Sequence, residues 1–309
     1  MPIDRDAWNS LGGDLRRLSL YEEVGKVAPF ALEDSRCLAS MHPDTPEVGT
    51  IGDWVGSEAV LREAESWLSA HGCKKVRGPV EMCTWFPHGA SLGPFEDAPF
   101  VTEPLDRADR WLGAGYSDVA HFVAAVAEHD AQIRTSTDRV ARLSMTGWTV
   151  RQLALDPGEG RPSEASYREA IHLLHQIRSE SYSKVPNFAD VSESVIQEWY
   201  RPLRQKVDPR LVMIGRSPEG EPAGILFALP DADHSERGWF VVNTLGVRPK
   251  FRQAGLAAWL VAAAHQSARK SGYKAGVHLM PWEREHLPLK DGFHVIRKYA
   301  VLEKSLKSL

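Results

Sequence analysis

Residues 245–257 read Leu245-Gly246-Val247-Arg248-Pro249-Lys250-Phe251-Arg252-Gln253-Ala254-Gly255-Leu256-Ala257, and the fold is decided here. Upstream, Trp239 to Val247 is an apolar run of strand length, expected to lie centrally in a sheet. Downstream, apolar groups at Leu256, Leu260, Val261, Ala264 and Ala268 recur at helical spacing. The segment therefore reads as strand, turn and amphipathic helix in immediate succession. The first N–H groups of a helix lack intrahelical partners, and the helix dipole adds about half a positive charge there. Pro249 cannot donate to a sheet ladder, so it helps to end the strand. Gly255 lets the backbone approach a guest, small Ala254 and Ala257 leave room, and Arg248, Lys250 and Arg252 bring positive charge. Together these predict an anion cradle, with a pyrophosphate as its natural guest.

The order of residues separates this turn from other phosphate binders. Neither G-x-x-x-x-G-K-[ST] nor G-x-G-x-x-G opens the helix, which disfavours a P-loop or a Rossmann turn. Val247-Arg248-Pro249 followed by Arg252-Gln253-Ala254-Gly255-Leu256-Ala257 resembles the acyl-CoA signature of the GCN5-related N-acetyltransferases (GNAT), V-x-P and then [QR]-x-x-G-x-[GA]. Gly292-Phe293 stands where that family has a Gly-Phe pair before its last strands. The resemblance spans residues from about 148 to 309. It implies a mixed α/β sheet of GNAT type and an acyl-CoA co-substrate, acetyl-CoA by default, with no metal. By that resemblance the amides of Gln253, Ala254, Gly255, Leu256 and Ala257, with Arg252, hold the CoA pyrophosphate. Leu245 and Val247 pair with the pantetheine arm, and a splay in the sheet admits the thioester. An amide near Leu245 polarises the acyl carbonyl, and the acceptor amine attacks directly.

A weak internal repeat organises the rest of the chain. Val60, Leu61, Ala64, Trp67 and Leu68 repeat the helical spacing of residues 256–268, and Gly72 and Gly272 stop the two helices before extended runs. Gly115-Tyr116 and Gly292-Phe293 then precede aromatic-containing strands in both copies. The first copy carries an insertion, Met82 to Asp106, and a polar stretch from Thr135 to Gly147 marks the boundary. Glu47 to Val55 is its central strand, but Val55-Gly56-Ser57-Glu58-Ala59 puts an acid where a phosphate would sit. The expected architecture is two tandem GNAT-like copies, the first truncated. Residues 1–140 form a degenerate partner whose insertion shapes the acceptor cleft, and residues 147–309 the catalytic domain.

The acid–base groups are less legible. Many family members carry a tyrosine just before the Gly-Phe pair to protonate the leaving thiolate, whereas His286-Leu287-Pro288-Leu289-Lys290-Asp291 has none. Tyr299, downstream, is the nearest substitute. His278 alternates with Val277 and Leu279 on a strand beside the expected splay, where an imidazole could act as base or serve the core. Asn243, polar in an apolar strand, could orient the acceptor or cap a buried network. Glu283 and His286 near Trp282 are further candidates for the acceptor side. His172 and His175 share a helix face without a third metal ligand, and Trp85-Phe86-Pro87-His88 could touch an apolar acceptor or anchor the insertion.

Composition narrows the partners. Thirty-seven Lys+Arg against 41 Asp+Glu give a formal charge of -4, without the basic excess that duplex nucleic acid would demand. The 43% of apolar residues contain no run of spanning length, the start lacks a signal-peptide pattern, and Cys37, Cys73 and Cys83 show no disulfide or zinc spacing. The expectation is a cytoplasmic acyl-CoA-dependent N-acyltransferase acting on a small-molecule amine, with no nucleic-acid or membrane partner. An acyl-CoA-binding sensor is one alternative. A transferase fed by an acyl-carrier protein, docked through Arg248, Lys250 and Arg252, is another.

Overall fold

The computed structural model describes residues 1–93, 99–101, 103, 106–155, 160–182, 185, 187–281 and 292–306. In the first half, helices α1 (Arg5–Ser10) and α2 (Leu15–Val24) precede strands β1 (Lys26–Leu32), β2 (Ser35–Met41) and β3 (Val48–Val55). Helix α3 (Glu58–Ala70) and strand β4 (Lys75–Gly78) follow, then the short β5 (Ala90–Ser91), α4 (Ala108–Gly113) and the long β6 (Ser117–Glu128). Two helices, α5 (His129–Arg134) and α6 (Thr137–Met145), join the halves. The second half runs β7 (Thr149–Gln152), α7 (Glu164–Ser181), α8 (Glu193–Tyr200), β8 (Met213–Arg216), β9 (Pro222–Pro230) and β10 (Trp239–Val247). It finishes with α9 (Leu256–Lys270), β11 (Ala275–Pro281) and β12 (Phe293–Ser305).

The local causes are those read from the sequence. Leu256, Leu260, Ala264 and Ala268 are wholly buried on one face of α9, and each such leucine contributes about 1.5–3 kcal/mol by leaving water. Asp14 and Ser163 cap α2 and α7 by accepting from backbone amides of the first turn. Gly72 and Gly272 follow α3 and α9 with left-handed φ of 93° and 87°.

Among the described residues, all strands join one mixed sheet in the order β1-β2-β3-β4-β12-β6-β11-β10-β9-β8-β7, with β5 against β12. Each half contributes a run of antiparallel strands followed by a parallel one: β1, β2, β3 with β4, and β7, β8, β9, β10 with β11. The final strands are exchanged. β6 of the first half pairs with β11 of the second, β12 of the second pairs with β4 of the first, and β6 and β12 pair with each other. The hydrogen-bonded sheet thus runs without a break across the boundary expected between residues 140 and 147. The stretch from Thr135 to Gly147, read as a polar boundary, contains α6, which lies against α9 with Leu143 buried and its polar groups outward.

Helices α3 and α9 cover one face of the sheet. On the other face α2, α7 and α8 share a core with the insertion, in which Phe86 packs its ring against both Tyr21 (4.7 Å) and Trp199 (5.0 Å). Trp85, 3% exposed, is part of that core, so it anchors the insertion.

Candidate functional site

Strands β10 and β11 pair only from Trp239 to Val242 against Ala275 to His278. At Asn243 the register of β10 against β9 slips, and from Thr244 to Val247 the strand pairs with β9 alone among the described strands. Leu279 to Pro281 of β11 meanwhile pair with Ala124 to Phe122 of β6. The sheet therefore parts into a wedge beyond Val242. The irregularity at Asn243 is its local cause, because a bulged residue raises the twist and interrupts the ladder. Helix α7 is seated tightly on this strand: a Cβ added to Gly246 would lie 2.3 Å from Ile177 Cγ2.

At the end of β10 a single 3-10 turn, Pro249–Phe251, precedes α9, and the Phe251 ring meets Trp148 edge-on at 5.6 Å. Gln253 and Gly255 then take left-handed φ of 69° and 98°. These reversals turn the backbone so that the helical ladder begins only with Trp259 N–H on the Gly255 carbonyl, at 3.3 Å. Among the described residues, the amides of Gln253, Ala254, Gly255, Leu256, Ala257 and Ala258 donate to nothing. Ordinary helix capping would satisfy one or two of them with a side-chain oxygen, and Gly255 has none to offer.

The charge around this cradle differs from the sequence expectation. Arg248 is held by Glu180 at 2.8 Å and Glu221 at 2.7 Å, and Lys250 by Glu221 at 2.5 Å. Two of the three cations expected to face a phosphate are thus neutralised by acids from α7 and the β8–β9 hairpin, which no local motif could reveal. Arg252 remains exposed, its Nε 3.4 Å from the Val247 carbonyl. The structure supplies another cation: Arg139 on α6 lies over the glycine, so that a Cβ at Gly255 would meet Arg139 Cδ at 3.6 Å. Beside it, a groove of about 310 Å³ between α6 and α9 is lined by Val140, Ala141, Trp259, Ala262 and Ala263.

Asn243 sits at the mouth of the wedge, its side-chain oxygen accepting from Tyr200 at 3.1 Å and Thr244 at 3.2 Å. Close by, and not anticipated from the sequence, the Tyr182 hydroxyl donates to the Leu245 carbonyl at 3.1 Å. His278, 4% exposed, lies on the α9 face of the sheet. Its Nε2 is 3.1 Å from His265 Nε2, and His265 Nδ1 is 3.0 Å from His129 Nδ1. His129 Nε2 is 2.9 Å from the Tyr273 carbonyl. A carbonyl only accepts, so neutral rings admit one arrangement: each ring donates one N–H in turn along the chain from His278 to Tyr273. Burial drives the His278 pKa down to about 4 and that of His265 down to about 2. This is the geometry of a satisfied core histidine.

Tyr299, 1% exposed, is held by Glu103 at 2.8 Å and lies on β12, with β6 between it and β11. The fold therefore brings Asn243, Leu245, Val247 and residues 252–257 together and sets Tyr299 apart. His172 is paired with Glu193 at 2.8 Å and His175 with the Val191 carbonyl at 2.7 Å. No group of three His, Cys, Asp or Glu among the described residues could hold a metal. None of their helices is long and apolar enough to cross a membrane. Trp282, Glu283, and His286 to Asp291 lie outside the described residues.

The corresponding turn of the first half is closed. Only Gly56 and Ser57 separate β3 from α3. Ser57 N–H donates to Ser35 Oγ at 2.9 Å, and Arg110 donates to the Trp54 and Gly56 carbonyls at 3.1 and 2.9 Å. A Cβ at Gly56 would stand 2.3 Å from Ser35 Oγ.

Residues 171–285 match the acetyltransferase (GNAT) family model. The bacterial ceramide synthase of Caulobacter vibrioides is 24% identical over 284 residues, covering 80% of this chain and 71% of that protein. A probable N-acyltransferase from Enterococcus faecalis superposes with a TM-score of 0.60 at 11% identity, over all of this chain and 72% of its own. A tandem GNAT protein from the clavulanic acid biosynthesis pathway superposes with a TM-score of 0.55 at 11% identity, over 99% and 98% of the two chains. The mixed sheet, its wedge and the open turn before α9 define an α/β fold of acyltransferase type. Residues 171–285 carry the GNAT-family match, and the fold of the chain is similar to that of GNAT proteins, a tandem one among them.

Proposed function

We propose that this protein is an acyl-CoA-dependent N-acyltransferase that moves an acyl group from a CoA thioester to the amine of a small molecule, with the second half active. The observation that carries the reading is the row of unpaired amides from Gln253 to Ala258 at the outer end of a wedge opened by the same strand. Those amides suit a pyrophosphate, Arg139 and Arg252 add charge, and the groove beside Trp259 offers an apolar bed for the nucleoside. The edge of Leu245 to Val247, which no described strand covers, suits the amides of a pantetheine arm, which leads the thioester to the wedge beside Asn243. In that arrangement the protein holds the two reactants together; the amine attacks the acyl carbon, the C–S bond breaks, and the proton lost by the amine ends on the departing sulfur as CoA thiol.

The carrier-protein alternative needs Arg248, Lys250 and Arg252 as a docking patch, and two of these are consumed by Glu180 and Glu221. The test is release of CoA thiol from acyl-CoAs of graded chain length against a panel of amines. The panel includes a long-chain sphingoid base, because one relative is a ceramide synthase. Amine-dependent thiol release is the expected result. Tight acyl-CoA binding without turnover of any amine would instead identify a sensor.

A further inference from the structure

Helix α7 ends at Ser181 beside the wedge, and its last turns carry Arg178 as well as Glu180, whose carboxylate is engaged by Arg248. Arg178 stacks its guanidinium over Trp85 of the insertion at 4.1 Å and lies 5.6 Å from the Tyr182 ring, whose hydroxyl reaches the Leu245 carbonyl. One Nη donates to the Thr84 carbonyl at 2.6 Å, while its buried Nε–H has no hydrogen-bond partner. No carboxylate forms an ion pair with it among the described residues. The groups around it are also unsatisfied. Thr84 Oγ1, Ser181 Oγ and Asn187 Nδ2 are buried without partners, and Thr84, 4% exposed, is joined to Asn187 through a backbone bond of 3.1 Å.

Four orphaned hydrogen-bonding groups near one another are costly if nothing fills them. All four can donate to an acceptor oxygen, and asparagine, serine and threonine add no negative charge. The positive charge is felt locally: it contributes to the low pKa of His88, after burial as the main cause. A half-buried guanidinium with its Nε–H buried, unpaired with any acid among the described residues and beside further donors, suits an oxyanion.

Resting on the acyltransfer reading, we propose that Arg178, with Thr84, Ser181 and Asn187, binds an anionic group, carboxylate or phosphate, on the acceptor amine. The acceptor is then an amino acid or amino phosphate and not a bare amine. Both halves build this cluster, since Trp85 and Thr84 come from the insertion of the first and Arg178 from the second.

The experiment pairs each amino acid with its decarboxylated amine, and phosphoethanolamine with ethanolamine, in the thiol-release assay. Wild-type protein is expected to favour the anionic member by about 10-fold or more in kcat/KM. Whichever pair shows the larger ratio distinguishes carboxylate from phosphate. Arg178→Met should erase that preference through KM, and Arg178→Lys should restore part of it, with acyl-CoA affinity unchanged in both. Equal rates for charged and uncharged members, or a preference that survives Arg178→Met, would overturn the proposal while leaving the transferase reading intact. Loss of acyl-CoA binding in the wild type would count against that reading instead. Should Arg178→Met fail to fold, Thr84→Val removes one donor without disturbing the stacked ring and should cut the preference a few-fold. If no amine turns over, thermal shift with CoA present decides: anionic members should raise the midpoint of wild type only, and no shift from any of them sinks the idea.

Discussion

Two strand-to-helix turns, Val55–Glu58 and Val247–Leu256, occupy equivalent places in the two halves, yet their interiors are opposite. In the first, Ser35 and Arg110 fill the turn and Glu58 starts the helix. In the second, a longer connection with reversed residues at 253 and 255 leaves its amides facing outward. The strands behind the turns diverge in both halves. Where β3 leaves β4, the first half has a cavity of about 210 Å³ crossed by internal ion pairs, Arg36 with Asp53 at 3.0 Å and Arg17 with Glu81 at 3.3 Å. The same architecture thus holds a satisfied polar network in one copy and an unsatisfied backbone in the other. Ligand capacity follows from which hydrogen bonds the fold leaves unmade, and the topology alone does not decide it.

The largest expected effect breaks this contrast outright. Gly255→Glu fills the open turn and adds a negative charge, so acyl-CoA affinity measured by calorimetry should fall at least ~100-fold. Its counterpart Gly56→Ala forces a methyl against Ser35 and should lower the unfolding midpoint while leaving that affinity unchanged. Next comes the charge. Arg139→Gln is expected to weaken donor binding about 10-fold, most visibly at low salt, because that cation pairs with no acid among the described residues. Arg248→Gln should change affinity by less than about 3-fold, since its charge is already spent on Glu180 and Glu221.

A smaller, graded effect tests the histidine chain. The unfolded imidazoles take protons near pH 6.5, whereas folded His278 resists until about pH 4 and His265 until lower still. Stability is therefore full above pH 6.5 and declines as the pH falls toward 4, by about 1.4 kcal/mol per unit for each group. Thermal midpoints across that window should show the slope, and His278→Asn should flatten it. A pH–rate profile in which His278→Asn removes a limb near neutrality would return the residue to the candidate bases.

The sequence carried most of the second half. Trp239 to Val247 is the strand expected, Gly72 and Gly272 stop their helices, and the spacing of residues 247–257 announced the turn. These features are local, so period and punctuation reveal them. What stayed hidden depends on partners distant in the chain. Glu180 and Glu221 neutralise Arg248, Arg139 arrives from the connecting helix, and Tyr182 reaches Leu245. The exchange of β6 and β12 was equally invisible, because each strand has the same alternation whichever neighbour it joins.

That exchange has a consequence for how the chain is made. During synthesis the first half emerges long before its neighbouring strand β12 exists, so an edge of β4 stays open until the ribosome has passed residue 305. Contacts of such long range are slow to form and leave a nascent sheet exposed to wrong pairing. A copy cut out at the middle of the sequence would inherit a bare flank, and its simplest remedy is to find the missing strand on a second molecule.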